Sequence, residues 1–505
     1  MPIPETLLEL LNAAPRERTA VILPETGICV TYAQLREQVG AVAGALASLG
    51  IRRGQRVATV LPNGLPTVVS FLAASVAGTA APLNPGYRQD EFSFYLEDTS
   101  ARLVLCAAEG TDAVRRAAEG RIPVYSVEMD DKGVVRVAGL SASENASETK
   151  VAAPEPGDVA LVLHTSGSTG RPKRVPLRHR NLAASAHNIV ETYALTSEDV
   201  ALCAMPLFHV HGLVASTLAT FLSGGTVVIP AKFNPLSFWR IVSDYHVTWY
   251  SAVPTIHQLL ITRAGDTRPG GAEGLRFIRS CSAALAPEVM HKMERVFGVP
   301  VLEAYGMTEA AHQMSSNPLP PSTRKSGSVG PGTGIQVSIM DAEGNHLAPG
   351  ERGEVVIQGP SVISAYENNP EADAKSFTSG WFRTGDQGFL DQDNHLTLTG
   401  RLKELINRGG EKIAPREIDE VLLSHPAIAE AVAFGVPHPS WGEEVAAAVV
   451  LREPQKESAI LAYCRERLAD FKCPKKIYIV ETIPRTATGK IQRGAVALAV
   501  LAEKV

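Results

Sequence analysis

Apolar and polar positions in the first 150 residues switch repeatedly between the 3.6-residue repeat of a helix and the short unbroken runs of a buried strand. Thr31 precedes Tyr32-Ala33-Gln34-Leu35, an N-cap signature that opens an amphipathic helix running to Gly50. Residues 56–61 (RVATVL) read as a strand, Pro62-Asn63-Gly64 as a turn, residues 67–78 as a helix and 80–83 as the next strand. Strand, helix and strand in that order predict βαβ units around a largely parallel sheet. The rhythm continues with an apolar strand at 159–163, a helix from about Asn181, an apolar run at 199–205 and short buried strands at 225–229 and 248–253. Pro206-Leu207-Phe208-His209-Val210-His211-Gly212 interrupts it as a bend.

Gly and Pro become dense at 316–334 and again at 342–360, which predicts the β-hairpins of a smaller, barrel-like region. After Gly400 the texture changes to that of a compact α/β unit, with helices near 416–423 and 458–468. The expected fold is α/β. A large N-terminal domain, residues 1–400, carries βαβ sheets and the barrel-like region, and a small C-terminal α/β domain covers 401–505. Residues 141–157 are polar and read as a surface excursion.

A chain of 505 residues is too long for one ordinary core, in keeping with at least two domains. Hydrophobic residues make up 45% and charged residues 20%, the balance of a globular protein. The net charge of −5, without a basic stripe, argues against nucleic acid or an anionic membrane as a partner. Six cysteines without C-x-x-C spacing read as buried reduced thiols. The N-terminal residues carry no basic region followed by an apolar run. The longest apolar stretch, 68–81, is broken by Ser, Gly and Thr and reads as a core helix. The tail Ala-Glu-Lys-Val is not a peroxisomal address, so a cytoplasmic protein without membrane insertion is expected.

The chemistry gathers in five stretches. Residues 163–175, LHTSGSTGRPKRV, follow an apolar strand with hydroxyls, glycines and a lysine. Glycines let successive N–H groups converge on one point, and the hydroxyls and ammonium add donors, which suits a loop closing over polyphosphate. No G-x-x-x-x-G-K-[ST] pattern occurs. Glu303-Ala304-Tyr305-Gly306-Met307-Thr308-Glu309 follows a second apolar strand. Its tyrosine can stack on a purine, Thr308 can bond a phosphate, and Glu309 can hold Mg²⁺ through hard oxygen. Trp381-Phe382-Arg383-Thr384-Gly385-Asp386 places a carboxylate after a Gly turn, where it can accept both hydroxyls of a ribose. Residues 400–413 (GRLKELINRGGEKI) and 484–490 (PRTATGK) complete the set.

In this order the five stretches resemble the motifs of the adenylate-forming enzymes: acyl-CoA synthetases, luciferases and peptide-synthetase adenylation domains. The resemblance implies ATP binding by Thr165, Ser166, Gly167, Ser168, Thr169, Gly170, Lys173, Glu303, Ala304, Tyr305, Thr308, Asp386 and Arg401, with Mg²⁺ at Glu309. It implies that Lys490 acts with Thr308 and Glu309 in adenylation. The small domain becomes a mobile lid with its hinge at 402–403 and Lys403 as pivot, and Gly409 and Gly410 line the path of CoA. One departure is Arg174, where the family usually has glycine, so its side chain must point away from the nucleotide or change how the loop closes.

Residues 206–213, 248–257, 278–287, 312–317 and 404–412 are similar to the oxalate–CoA ligase branch of that family. The implied pocket needs donors for a second carboxylate, and His209, Ser280 or Ser282, and His312 are suitable, with a protonated histidine pairing the distal carboxylate. A medium- or long-chain fatty or aryl acid is the alternative substrate, and an amino-acid adenylation domain a further one. The latter is disfavoured because the 206–213 bend has no acidic residue and no carrier domain follows. The expected partners are a small carboxylic acid, ATP and CoA, without a carrier protein.

Overall fold

A computed structural model describes residues 3–140, 151–165, 172–485 and 491–502. Two sheets have parallel interiors. In the seven-stranded one, Val124–Met129, Ala101–Ala107, Arg56–Val60, Thr79–Pro82 and Val159–Thr165 run parallel, and Val135–Val137 and Lys173–Arg178 close the two edges antiparallel. In the eight-stranded one, Thr19–Leu23, Thr226–Val228, Val200–Leu202, Trp249–Ala252, Phe277–Ser280 and Val301–Met307 are parallel. Its antiparallel edges are Ile28–Thr31 and His312–Ser316.

The helix Tyr32–Ser48 starts where the N-cap signature places it. The Thr31 hydroxyl accepts from Gln34 N, and the Gln34 side chain returns to Thr31 N, a capping box. The next helix, Leu65–Ala77, begins two residues earlier than the pattern suggests because Pro66 fits its first turn. It is buried almost all round. One apolar cluster joins its Val68 and Leu72 to Val57 and Leu161 of one sheet and to Val21 and Val227 of the other. That is why its sequence is apolar without a polar face.

The bend at 206–212 has an outcome that periodicity does not show. It runs straight into a π-helix, His211–Leu218, all of whose residues are buried. π-Helical turns are rare and concentrate at functional sites.

The antiparallel sheet of Gln336–Met340, Gly353–Gln358, Phe377–Thr378, Trp381–Leu390 and Leu396–Arg401 forms the smaller β region. The hairpin expected at 316–334 is absent among the described residues. That segment is irregular apart from a bridge between Ser315 and Gly332, since Pro318, Pro320, Pro321 and Pro331 cannot donate to a ladder. The last strand of this sheet ends at Arg401, and a fourth sheet begins at Ile406 after the short turn Leu402–Glu404. Ile428–His438 and Gly442–Leu451 are its long central pair. Pro415–Leu423 and Glu457–Arg465 cover one apolar face, and Arg493–Ala502 covers the other. No helix among the described residues is long and apolar enough to cross a membrane.

Candidate active site

The C-terminal ends of parallel strands are where such sheets hold ligands, and the sequence motifs converge there. Thr165 ends one strand and Lys173 begins the next, and the two are paired, so the ends of the phosphate-loop stretch lie opposite each other. Ser166, Gly167, Ser168, Thr169 and Gly170 lie outside the described residues. Thr165 Oγ1 stands 3.4 Å from Glu309 Oε1, and the Tyr366 hydroxyl donates to the same oxygen at 2.8 Å. Lys173 Nζ lies 4.3 Å from the centre of the Tyr366 ring. Burial and the adjoining Glu309 carboxylate push the Tyr366 phenol upward, so it remains a donor. No spacing in the sequence singles out Tyr366, because it sits in an irregular segment 57 residues beyond its partner.

Arg174 turns away from this group. Its Nη1 donates to the Asp98 carbonyl, and its Nε lies 3.6 Å from Asp98 Oδ2 and 3.9 Å from Glu367 Oε2. His164 adds a contact of 2.9 Å to the same Asp98 carboxylate.

Asp386 is buried, with its backbone N–H on Thr384 Oγ1 at 3.1 Å. The Tyr305 hydroxyl donates to its Oδ2, and Arg401 Nε stands 2.9 Å from its Oδ1. Ala304 pairs with Ser316, and Thr308 opens the one-turn helix Thr308–Ala310 that carries Glu309. Glu303 is turned inward. Gly327 N donates to its Oε2 at 3.1 Å, and burial outweighs the nearby Arg416 to push its carboxyl up to about 7. At the turn after Arg401, partial burial together with the Lys173 and Arg401 charges lowers the Lys403 ammonium. Lys173, Arg401 and Lys403 thus stand close enough for their charges to act on one another.

Glu309 supplies hard oxygen for Mg²⁺. No group of three or more His, Cys, Asp or Glu that could hold a metal occurs among the described residues. A single carboxylate fits Mg²⁺ that takes its remaining ligands from phosphate and water.

The acid end is built on the neighbouring strands. His211 Nε2 lies 2.6 Å from Ser251 Oγ, and His211 Nδ1 lies 3.0 Å from Ser282 Oγ. The His211 and His312 rings meet edge to face at 5.0 Å. Ser282, Ala311 and His312 all have positive φ, at 72°, 52° and 114°. Such strain in non-glycine residues persists only where the surroundings enforce it, and it concentrates at binding sites. Behind these groups lies Arg279, fully buried, donating to Tyr193, Ser251 and Gln313 at 2.8 to 3.0 Å and reaching His312 Nδ1 at 3.5 Å.

Of the residues expected at this end, Ser282 and His312 join the cluster. His209 is half-buried beside Phe208, and the Ser280 hydroxyl is buried without a hydrogen-bond partner among the described residues. The centre of the cluster is His211, two residues beyond His209. Arg279 lies within the 278–287 stretch, but nothing in the sequence gave it a role, because its partners come from other strands and helices of the fold.

Gly409 and Gly410 both have positive φ, at 60° and 96°. A Cβ at Gly409 would stand 2.7 Å from the Trp441 ring, while one at Gly410 would enter open space. Backbone conformation, rather than crowding, favours glycine at Gly410 in this arrangement. Lys490 lies outside the described residues.

Residues 9–367 match the model of the AMP-binding enzyme family, and residues 417–490 match that of the AMP-binding enzyme C-terminal domain. The chain is 46% identical to the oxalate–CoA ligase of Arabidopsis thaliana, over 93% of each protein. It is 44% identical to the oxalate–CoA ligase of Saccharomyces cerevisiae, over 95% of this chain and 94% of that one. Among solved structures it superposes on ATP-bound MatB from Rhodopseudomonas palustris with a TM-score of 0.90, at 30% identity over 98% of both chains. With the apo form of that protein the TM-score is 0.79.

Proposed function

The chain belongs to the AMP-binding enzyme family, as an ATP-dependent acid–CoA ligase, and on that premise we propose that its acid is oxalate. A carboxylate is a poor acyl donor, because oxide would have to leave. Attack of its oxygen on the α-phosphate of ATP forms an acyl adenylate and expels pyrophosphate. The CoA thiol then displaces AMP to give the thioester. Reactions of this kind ask a protein for alignment and charge stabilisation.

In this reading Thr165, Lys173 and the loop between them hold the phosphates, Asp386 takes the ribose, and Tyr305 stands beside the adenine. Glu309, kept in place by Tyr366, would hold Mg²⁺, which supplies charge neutralisation across the phosphate oxygens when bound. Lys490 neutralises charge that develops between carboxylate and α-phosphate. The domain division at 400/401 gives the second half-reaction its geometry. The C-terminal unit turns about Lys403, withdraws Lys490 and brings Gly409 and Gly410 to the adenylate. The same reading puts the enzyme in the cytoplasm, in keeping with six free cysteines.

The observation that carries the choice of acid is the polar cluster of His211, Ser282 and His312, with positive φ at the last two and His312 on the hairpin that bears Tyr305 and Thr308. A fatty or aryl acid would need apolar lining there. The test is pyrophosphate release with ATP and Mg²⁺ over oxalate, malonate, acetate, octanoate, a cinnamate and the amino acids, each with and without CoA. A turnover confined to oxalate and dependent on CoA is expected. Preference for octanoate or the cinnamate would overturn the choice of acid.

A further inference from the structure

The least expected group near the acid site is the Arg279 guanidinium. It has no solvent exposure, and among the described residues its partners are Tyr193, Ser251, Gln313, His312 and the Cys281 thiol, none of them a carboxylate. A buried cation without a carboxylate partner is costly and is rarely kept for packing alone. Tyr193 and Gln313 are held in turn, since Tyr193 also bonds Ser316 Oγ at 2.8 Å, and Gln313 Nε2 donates to Thr192 and Thr333. The guanidinium is therefore fixed in position.

Arginine only donates, so each group that it meets accepts from it. Arg279 Nη1 donates to Ser251 Oγ at 2.9 Å, which leaves the Ser251 proton able to reach its other neighbour, His211 Nε2, at 2.6 Å. In that arrangement His211 carries its proton on Nδ1 and donates to Ser282 Oγ at 3.0 Å. The Ser282 hydroxyl is left to donate onward. By the second route Arg279 Nη2 stands 3.5 Å from His312 Nδ1, and a hydrogen bond there needs a bare Nδ1, with the His312 proton on Nε2. Both chains begin at one buried positive charge and end in donors.

We propose that Arg279 is a positioning residue for acid selection. It fixes the tautomers of His211 and His312 and polarises Ser282 and His312 as neutral donors for an anionic acid, a small dicarboxylate in the reading above, on which this inference rests. The charge acts through the relay, so the acid gains positive potential without touching the guanidinium. A monocarboxylate lacks the second anionic group that the donors serve.

Two measurements test this. In protein labelled with ¹⁵N-histidine, the His312 signals, assigned by their loss in His312→Gln, are expected to show a bare Nδ1 and a protonated Nε2. A proton on Nδ1, or on both nitrogens, overturns the relay whatever the acid proves to be. In Arg279→Met, kcat/KM for oxalate should fall by about a hundredfold while that for acetate and the KM for ATP stay within about threefold, with Arg279→Lys in between. Equal losses for all three substrates would make Arg279 structural. Should Arg279→Met not fold, Arg279→Lys and the histidine signals of the unaltered protein still decide. Failure of oxalate as a substrate, with the tautomers as stated, would sink the acid's identity alone.

Discussion

Tyr305 and Arg401 hold opposite oxygens of one carboxylate, that of Asp386. The phenol donates to Oδ2, and the guanidinium Nε stands 2.9 Å from Oδ1. Burial, and then the Asp386 charge, push the Tyr305 hydroxyl well above its ordinary range, so it donates at every working pH. The two donors fix the carboxylate before a ribose arrives, one from the nucleotide motif and one from the strand that ends at Arg401. Tyr305→Phe should therefore raise the KM for ATP by about tenfold, since a hydrogen bond to a charged group contributes about 1.5 kcal/mol. Steady-state kinetics with ATP varied would check it. An unchanged KM would show that Arg401 alone orients Asp386.

In the proposed mechanism Lys490 belongs to the first half-reaction only. Lys490→Ala is expected to slow adenylate formation by about a hundredfold, the loss typical of one preorganised electrostatic group. Given presynthesised adenylate, the variant should still make thioester at nearly the normal rate. Equal loss in both half-reactions would rule out the domain alternation about Lys403.

The parts of this site that the sequence made legible are those whose residues lie close together in the chain. Thr165 and Lys173, and the stretch from Tyr305 to Glu309, lie at strand ends, which periodicity finds, and Asp386, in mid-strand, is marked by the Gly-Asp step beside it. Tyr366 and Arg279 escaped because their roles exist only across the fold. Tyr366 reaches back 57 residues to Glu309, and Arg279 reaches His312 from a neighbouring strand. The choice of His209 over His211 turned on where the bend becomes a π-helix, and no hydrophobic pattern two residues long can set that.

Arg174 occupies a position where the family usually has glycine, and it answers to Asp98 and Glu367 rather than to the nucleotide. Arg174→Gly should lower unfolding free energy by about 2 kcal/mol, because Asp98 and Glu367 lose a partly buried cation. The KM for ATP should change by less than about threefold, as the uniform geometry of the loop ends is set by the Thr165–Lys173 pairing. Urea denaturation and ATP kinetics on the same preparation separate the two effects. A large rise in KM with unchanged stability would mean that Arg174 acts on the loop after all.

Glu303 gives the protein an unusual pH dependence. Its carboxyl is raised from 4.5 to about 7, chiefly by burial. The folded protein therefore binds this proton more tightly than the unfolded chain does. Below pH 4.5 both states carry the proton, and its stabilising effect is fully present. Between 4.5 and about 7 the unfolded chain releases it first, so stability falls as pH rises, and above 7 the slope from this group vanishes. The total is on the order of 3 kcal/mol. Glu303→Gln keeps the shape and removes the titration. The variant should gain stability relative to the unaltered protein as pH is raised from 5 to 8, and urea midpoints at a series of pH values would show the difference curve. A flat difference would mean that the Gly327 N–H and the Arg416 charge hold the carboxylate ionised in the folded protein.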